Sequence, residues 1–317
     1  MDTSLVNFAQ AIISGILLGG FFALASVGLS LIFGVQRILN VAHGAFIVLA
    51  AFVTIQFSLV ATPSLHLNPL ASLGLDFMLI GGLGVCVYFL LIRRIENSGF
   101  EAPLLATFGL SVFLEYIIQS GLGPIPSIDP SHGQGAQAEH QIYSSTSLIV
   151  GPLFVQEPEL ISFLIAIIII PILHLFLSRT YYGKAIRATA QDWLAAEFSG
   201  IDIRKTRLLS FALGSALAGV AGGMFAFTNS VTPLLGDTYL LPIILVVIIL
   251  GGVGSMIGTL IGGFVVGLLL SFSELFDSSY LFRFGFQPDV GYLITFLVFL
   301  IVLMVRPNGL FGKGVVK

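Results

Sequence analysis

Charge is what this sequence has least of. Only 9% of its 317 residues are Asp, Glu, Lys or Arg, against about a quarter in ordinary soluble domains. With 56% hydrophobic residues, such a chain cannot cover a folded surface in water, which excludes a soluble globular protein. A single cysteine, Cys86, excludes an intramolecular disulfide and a Cys-rich metal site. Set in an apolar stretch, it is expected to be a small buried hydrophobe. Catalytic signatures are missing too: there is no His-Glu-x-x-His zinc site and no Gly-x-Ser-x-Gly elbow. Gly236-Asp237 matches only part of the Gly-x-Gly-Asp of membrane aspartyl proteases, because Leu234 stands where the first glycine belongs. Gly251-Gly-Val-Gly-Ser255 is glycine-rich, but no Lys-Ser/Thr follows, and Ile257 interrupts a Gly-x-Gly-x-x-Gly pattern. Neither Gly183-Lys184 nor Gly312-Lys313 completes a Walker A motif. No catalytic residue, metal or bound cofactor is expected in this chain.

What the sequence does have is long apolar runs. Segments 3–36, 38–75, 160–178, 208–236 and 238–273 contain no Asp, Glu, Lys or Arg. Each is long enough for the roughly 20-residue helix that crosses about 30 Å of hydrocarbon. Ala166–Ile170 and Leu245–Leu250 are apolar on every side, unlike the alternating strands of a membrane β-barrel. The fold class is therefore all-α: a polytopic transmembrane helical bundle of about 8–10 spans forming a single transmembrane domain over 1–317. Nine spans are predicted, near 5–33, 42–60, 69–92, 101–121, 159–178, 208–228, 237–251, 256–275 and 289–305. The N-terminus lacks the basic start of a secretory signal and its apolar run is too long for one, so it is expected to remain as the first span.

Sidedness follows from the basic residues. With alternating loops, twelve of the thirteen fall on one side, and Arg283 alone on the other. Positive residues near span ends stay cytoplasmic. The 179–207 loop and the C-terminus are thus expected in the cytoplasm, with the N-terminus outside for nine spans. Run 3–36 would make a helix about 50 Å long, so a break near Gly19-Gly20 or a re-entrant piece is expected. The 122–158 loop holds no Lys or Arg and is expected outside. Its His132 and His140 are too sparse a pair for a metal site.

Glycines recur every four residues. Gly254, Gly258 and Gly262 form one stripe; Gly214, Ala218 and Gly222 form another, with Ser215, Gly219 and Gly223 beside it. Small residues at this spacing let helices approach closely, within one bundle or between subunits. In the 179–207 loop, Asp192 is placed to cap a short helix, Trp193–Ser199, which Gly200 would end in the left-handed conformation. Trp193, Leu194 and Phe198 give that helix an apolar edge in need of a cover.

Several ordered blocks resemble the permease subunits of ATP-binding-cassette importers for branched-chain amino acids, a group that also includes urea and simple-sugar permeases. The blocks are Leu31 to Gly44 with its Asn40-Val-Ala-His43-Gly44, then Thr107-Phe-Gly109-Leu-Ser111. Gly183-Lys-Ala-Ile-Arg187 through Asp192 to Gly200-Ile201 follows, then Leu250–Ser255 and Arg306-Pro-Asn-Gly-Leu-Phe-Gly312. The resemblance implies a multi-pass subunit of a prokaryotic inner membrane. Its partners would be a second permease chain (a heterodimer is favoured over a homodimer), two cytoplasmic ATPases that use ATP and Mg, and an external solute-binding protein; no nucleic acid is implied. Residues 193–199 would seat in a cleft of the ATPase. Trp193, Ala196 and Phe198 would form the docked face, Arg187 and Asp192 would orient it, and Gly183 and Gly200 would complete the segment.

Ionisable groups in spans are costly and usually face a cavity or partner. Asn40, His43 and Gly44 either satisfy a broken helix or line the translocation pathway. Thr107, Gly109 and Glu115 are further candidates for that pathway. Asp76 is expected to reach the interface, and Glu274 to be interfacial. Urea, amide or aromatic-acid permeases are alternatives within the group. An ion-coupled secondary transporter is the alternative of another class; it needs a central carboxylate, for which Asp76 and Glu115 qualify.

Overall fold

The computed structural model describes residues 3–60, 68–96, 98–99, 101–121, 147–277, 290–306 and 309–311. The helices are α1 (Thr3–Gln36), α2 (His43–Ile55), α3 (Pro69–Val87), α4 (Arg93–Ile95), α5 (Glu101–Gly121), α6 (Glu157–Arg179), α7 (Tyr181–Gln191), α8 (Trp193–Phe198), α9 (Ile203–Thr228), α10 (Leu241–Gly251), α11 (Met256–Asp277) and α12 (Val290–Val305). π-Helical turns extend α2 over Gln56–Val60, join α3 to α4 over Tyr88–Ile92, and lead into α10 over Gly236–Leu240. Every predicted span falls on a helix. Six described helices are long and apolar enough to cross a membrane, and three apolar helices, starting at His43, Gly236 and Tyr292, are shorter. The protein is a polytopic helical membrane protein.

α1 runs unbroken, so the break expected at Gly19-Gly20 does not occur. Those glycines serve close packing instead. The chain divides into two compact units. In the unit made of 1–26, 143–169 and 243–317, Gly15 and Gly19 of α1 lie against Leu268 and Phe264 of α11. Gly263 and Gly267 of α11 return the contact on Ala23 and Gly19. A Cβ on Gly19 would come within 2.8 Å of the Phe264 Cα, so only glycine permits this backbone approach. A hairpin that the sequence reading did not anticipate pairs β1 (Ser147–Val150) with β2 (Leu153–Gln156). Gln10 braces it, donating to the Phe154 carbonyl at 2.6 Å and accepting from the Phe154 N–H at 3.0 Å. The glycine-rich stretch after α10 forms a tight turn, with Gly252 at φ 100° and Gly254 at φ 77°. Leu310 and Phe311 donate to the carbonyls of Leu250 and Gly251 at 2.8 and 3.2 Å, so two of the distant sequence blocks meet.

The second unit comprises 27–142 and 170–242, and α9 is its buried centre. Its two small-residue stripes face different partners. Gly214 meets the Gly28 carbonyl of α1 and Gly222 meets the Ile47 carbonyl of α2; Gly219 and Gly223 meet Asp76 of α3, and Ser215 meets Gly84. Both stripes of α9 therefore pack this unit internally. Cys86 is exposed on α3, contrary to the buried position expected; it shares that surface with Phe89 and Leu90, apolar side chains suited to lipid. His132, His140, Arg283, Gly312, Lys313, Lys317 and the side chain of Glu274 lie outside the described residues.

Candidate functional site

Two regions of the second unit carry polar or exposed groups that packing alone does not explain. The first is the helical pair α7–α8. Thr180 starts α7 by accepting the Gly183 N–H at 3.0 Å, and Gly183 lies against the backbone of Phe176 and Leu177, where no side chain fits. The sequence reading had seen only the short second helix. Asp192 caps α8, its Oδ1 accepting from the N–H groups of Leu194 and Ala195 at 2.9 and 3.1 Å. At the other end Gly200, at φ 83°, donates to Glu197 O at 2.9 Å, while Ile201 donates to Ala196 O at 3.1 Å. This is the paired termination that a left-handed glycine permits. The six-residue helix is thus capped at both ends.

Trp193 is 40% exposed and Phe198 89% exposed, with Leu194 also outward. Ala196 is only 4% exposed, which corrects its expected place on the outer face: it seats α8 on its own chain. Arg187 is exposed on α7 and makes no ion pair among the described residues. Asp202 then caps α9, its Oδ1 accepting from Lys205 N–H at 3.1 Å. That backbone N–H, with the Lys205 side chain, holds the Asp202 carboxyl below the usual carboxylate range.

The second region surrounds the gap between α1 and α2. α1 ends with Arg37 at φ 55°, its N–H donating to Phe33 O at 2.8 Å. Thr107 of α5 holds the open segment: Val41 N–H donates to Thr107 Oγ1 at 3.2 Å, and that hydroxyl lies 3.3 Å from Leu39 O. Asn40 O accepts from His43 N–H at 3.2 Å. The Asn40 side chain is 0% exposed, and neither its Oδ1 nor its Nδ2 has a partner among the described residues. His43 is buried beside Gly28, and Gly44 lies directly against Gly236.

Along α5, Thr107, Ser111 and Glu115 are four residues apart and share a face. Ser111 Oγ donates to Asp237 Oδ1 at 2.6 Å, and Glu115 faces Asp237, whose backbone N–H is directed at it. Glu115 Oε1 is buried without a partner among the described residues. Gly109 sits on the opposite, exposed face with open space around it, so the structure does not bring it to this cluster. Asp237 was missed as a membrane carboxylate because it stands at the edge of an apolar run. Asp76, expected at the interface, is instead fully buried. It accepts from the Thr54 hydroxyl, and α9 meets it with glycine. Among the described residues no three His, Cys, Asp or Glu side chains group as metal ligands.

A multi-span helical bundle with polar groups opposed inside it, and a rigid short helix presenting apolar side chains outside it, has the form of a membrane transport subunit. Comparison with known proteins gives that class its family. A family model described as "Branched-chain amino acid transport system / permease component" matches residues 11–303, and the chain belongs to this family. It is 25% identical to the high-affinity branched-chain amino acid transport system permease protein BraD of Pseudomonas aeruginosa, over 98% of both chains. To LivH of Escherichia coli K12, a permease protein of the same description, it is 24% identical over 100% of this chain and 99% of that one. A probable branched-chain amino acid transport permease protein LivH of Methanocaldococcus jannaschii is 28% identical, over 94% of this chain and 90% of its own. No solved structure matches the chain.

Proposed function

We infer that this permease is one of two membrane subunits of an ATP-binding-cassette importer for branched-chain amino acids in a prokaryotic inner membrane. It works with a second permease, two separate cytoplasmic ATPases and an external solute-binding protein. The observation that carries the reading is α8. Capped at both ends, it holds Trp193, Leu194 and Phe198 outward, among Lys184, Arg187, Arg204 and Lys205. Basic residues of this density beside span ends favour the cytoplasmic side. An exposed aromatic edge there needs a partner to bury it. A rigid helix gripped by a separate ATPase converts the closure of that ATPase into a shift of the attached helices.

The amino acid substrate is supported by the names of the full-length relatives. Asn40, His43, Gly44, Thr107 and Glu115 would line the pathway. An ion-coupled carrier draws support from the buried carboxylate of Asp76. Uptake in cells separates the two. Leucine uptake abolished by ATP depletion and insensitive to an uncoupler supports the importer; the reverse pattern supports the carrier.

A further inference from the structure

The chain holds two half-sites of opposite character next to one another. The first is electropositive. α2 begins at His43 behind Ala42, which supplies no side-chain cap; the His43 N–H is taken by Asn40 O, and the next N–H groups of this 13-residue helix, on Gly44 and Ala45, receive no cap from Ala42. Such an end attracts anions through its N–H groups and the helix dipole. Asn40, in the turn that enters α2, is fully buried, yet both ends of its carboxamide are unpartnered among the described residues. A buried amide left entirely unpaired costs free energy and calls for an explanation outside the chain's own bonding.

The second half-site is electronegative. Asp237 is fixed by Ser111, Glu115 faces it, and neither carboxylate pairs with a Lys or Arg among the described residues. Two facing carboxylates in a low-dielectric setting are stabilised by a shared cation. The two half-sites adjoin through bare backbone. A Cβ on Gly236 would come within 2.8 Å of Gly44 C and 2.9 Å of Ala45 N. Asp237 therefore starts beside the first turn of α2.

We propose that these half-sites together form a transit site for an α-amino acid zwitterion, with the carboxylate at the start of α2 beside Asn40 and the ammonium on Asp237 and Glu115. The inference rests on the importer reading and adds to it. It makes the membrane subunit, and not only an external binding protein, selective for a zwitterion over uncharged urea, amides or sugars. An ammonium brings three donors and a charge to the two acidic groups. A neutral solute brings hydrogen-bond donors but no charge to offset the two carboxylates.

The test uses the complete importer in proteoliposomes: this chain, its partner permease, the ATPases and the leucine-loaded binding protein. Leucine uptake and ATP hydrolysis are measured together, so that the readout is leucine moved per ATP hydrolysed. Removing one charged hydrogen-bond partner predicts a fall in this ratio of about tenfold or more for Asp237→Asn. Glu115→Gln and Asn40→Leu are expected to lower it as well, and Asp237→Glu to restore part of the loss. Wild-type uptake by Asp237→Asn overturns the site while leaving the importer reading intact. So does an equal fall in uptake and hydrolysis, which marks a structural role. A wild-type complex that moves no leucine on ATP overturns the importer reading and the site with it.

Discussion

Gln36, the last residue of α1, donates its side-chain amide to the backbone carbonyl of Arg207, in the second turn of α9, at 2.9 Å. Arg207 in turn pairs with Glu96 beyond α4 at 3.2 Å, with side chains 18% and 8% exposed. The Tyr88 hydroxyl lies 3.4 Å from both the Glu96 carboxylate and the Arg204 carbonyl. The start of α9, which follows α8 within a few residues, is thereby tied to the end of α3 and to the edge of the α1–α2 gap. A displacement of α8 has a bonded route to Asn40.

This ion pair is mostly buried, so removing one member leaves an uncompensated charge. Glu96→Gln or Arg207→Ala is expected to lower stability by about 3–5 kcal/mol, as such breaks do. The double variant Glu96→Gln/Arg207→Ala should lose less than the sum of the two singles. Thermal unfolding of the purified subunit in detergent checks both statements. Additive losses would show that the pair is not coupled.

Gly44 and Gly109 make a matched contrast. A Cβ at Gly44 runs into the Gly236 backbone, whereas one at Gly109 meets nothing within 4 Å. Gly44→Ala is expected to destabilise by about 1–3 kcal/mol through overpacking, and Gly109→Ala, mid-helix with open space around it, to raise stability by up to about 1 kcal/mol. Yield of monodisperse protein and its melting temperature give the comparison. Equal behaviour of the two variants contradicts the packing.

α8 depends on its caps. Asp192→Ala removes the acceptor for Leu194 and Ala195 N–H, a loss of about 1 kcal/mol. Gly200→Val forces a branched residue into φ 83°, disfavoured by at least about 1–2 kcal/mol. Both variants should speed amide exchange in 193–201 and weaken co-purification of the ATPases. Asp192→Ser, which keeps an acceptor, should restore both. ATPase retention by a chain with a frayed α8 would detach the partner from this helix.

The start of α9 should respond to acid. Asp202 is held ionised by the Lys205 backbone N–H, and its folded pKa lies below the unfolded value. Its stabilising contribution is therefore present above the ordinary carboxylate pKa and disappears as pH falls through the lower, folded value. Amide exchange at 203–206, corrected for intrinsic rates, should rise across that acidic interval in the wild type. Asp202→Asn should flatten the change.

The spans were legible because runs of twenty apolar residues have few other uses, and each of the nine falls on a helix. The caps of α8 were legible too, since Asp192 and Gly200 act within their own few residues. What a side chain faces across the bundle was not. Asp76 looked interfacial by its height in the span, yet Thr54 and two glycines of α9 enclose it. A break near Gly19-Gly20 was expected because an unbroken helix over 3–36 is about 50 Å long; packed closely against α11 through its glycines, the helix continues instead. Asp237 was hidden by its place at the end of an apolar run, and its partner Ser111 lies 126 residues away. The separation of Gly109 from Thr107 was available in the sequence, because residues two apart on a helix point to opposite sides.

The central claim is that α8 is gripped on the cytoplasmic side by a separate ATPase. It is tested most directly by a single cysteine at position 198, Phe198→Cys with Cys86→Ala, in the assembled importer. A short crosslinker is expected to join it to an ATPase subunit, in a yield that changes when nucleotide binds, and a membrane-impermeant thiol reagent added outside should leave it unlabelled. Labelling from outside, or full ATP-driven leucine uptake by a chain with both Trp193 and Phe198 changed to alanine, would contradict the account.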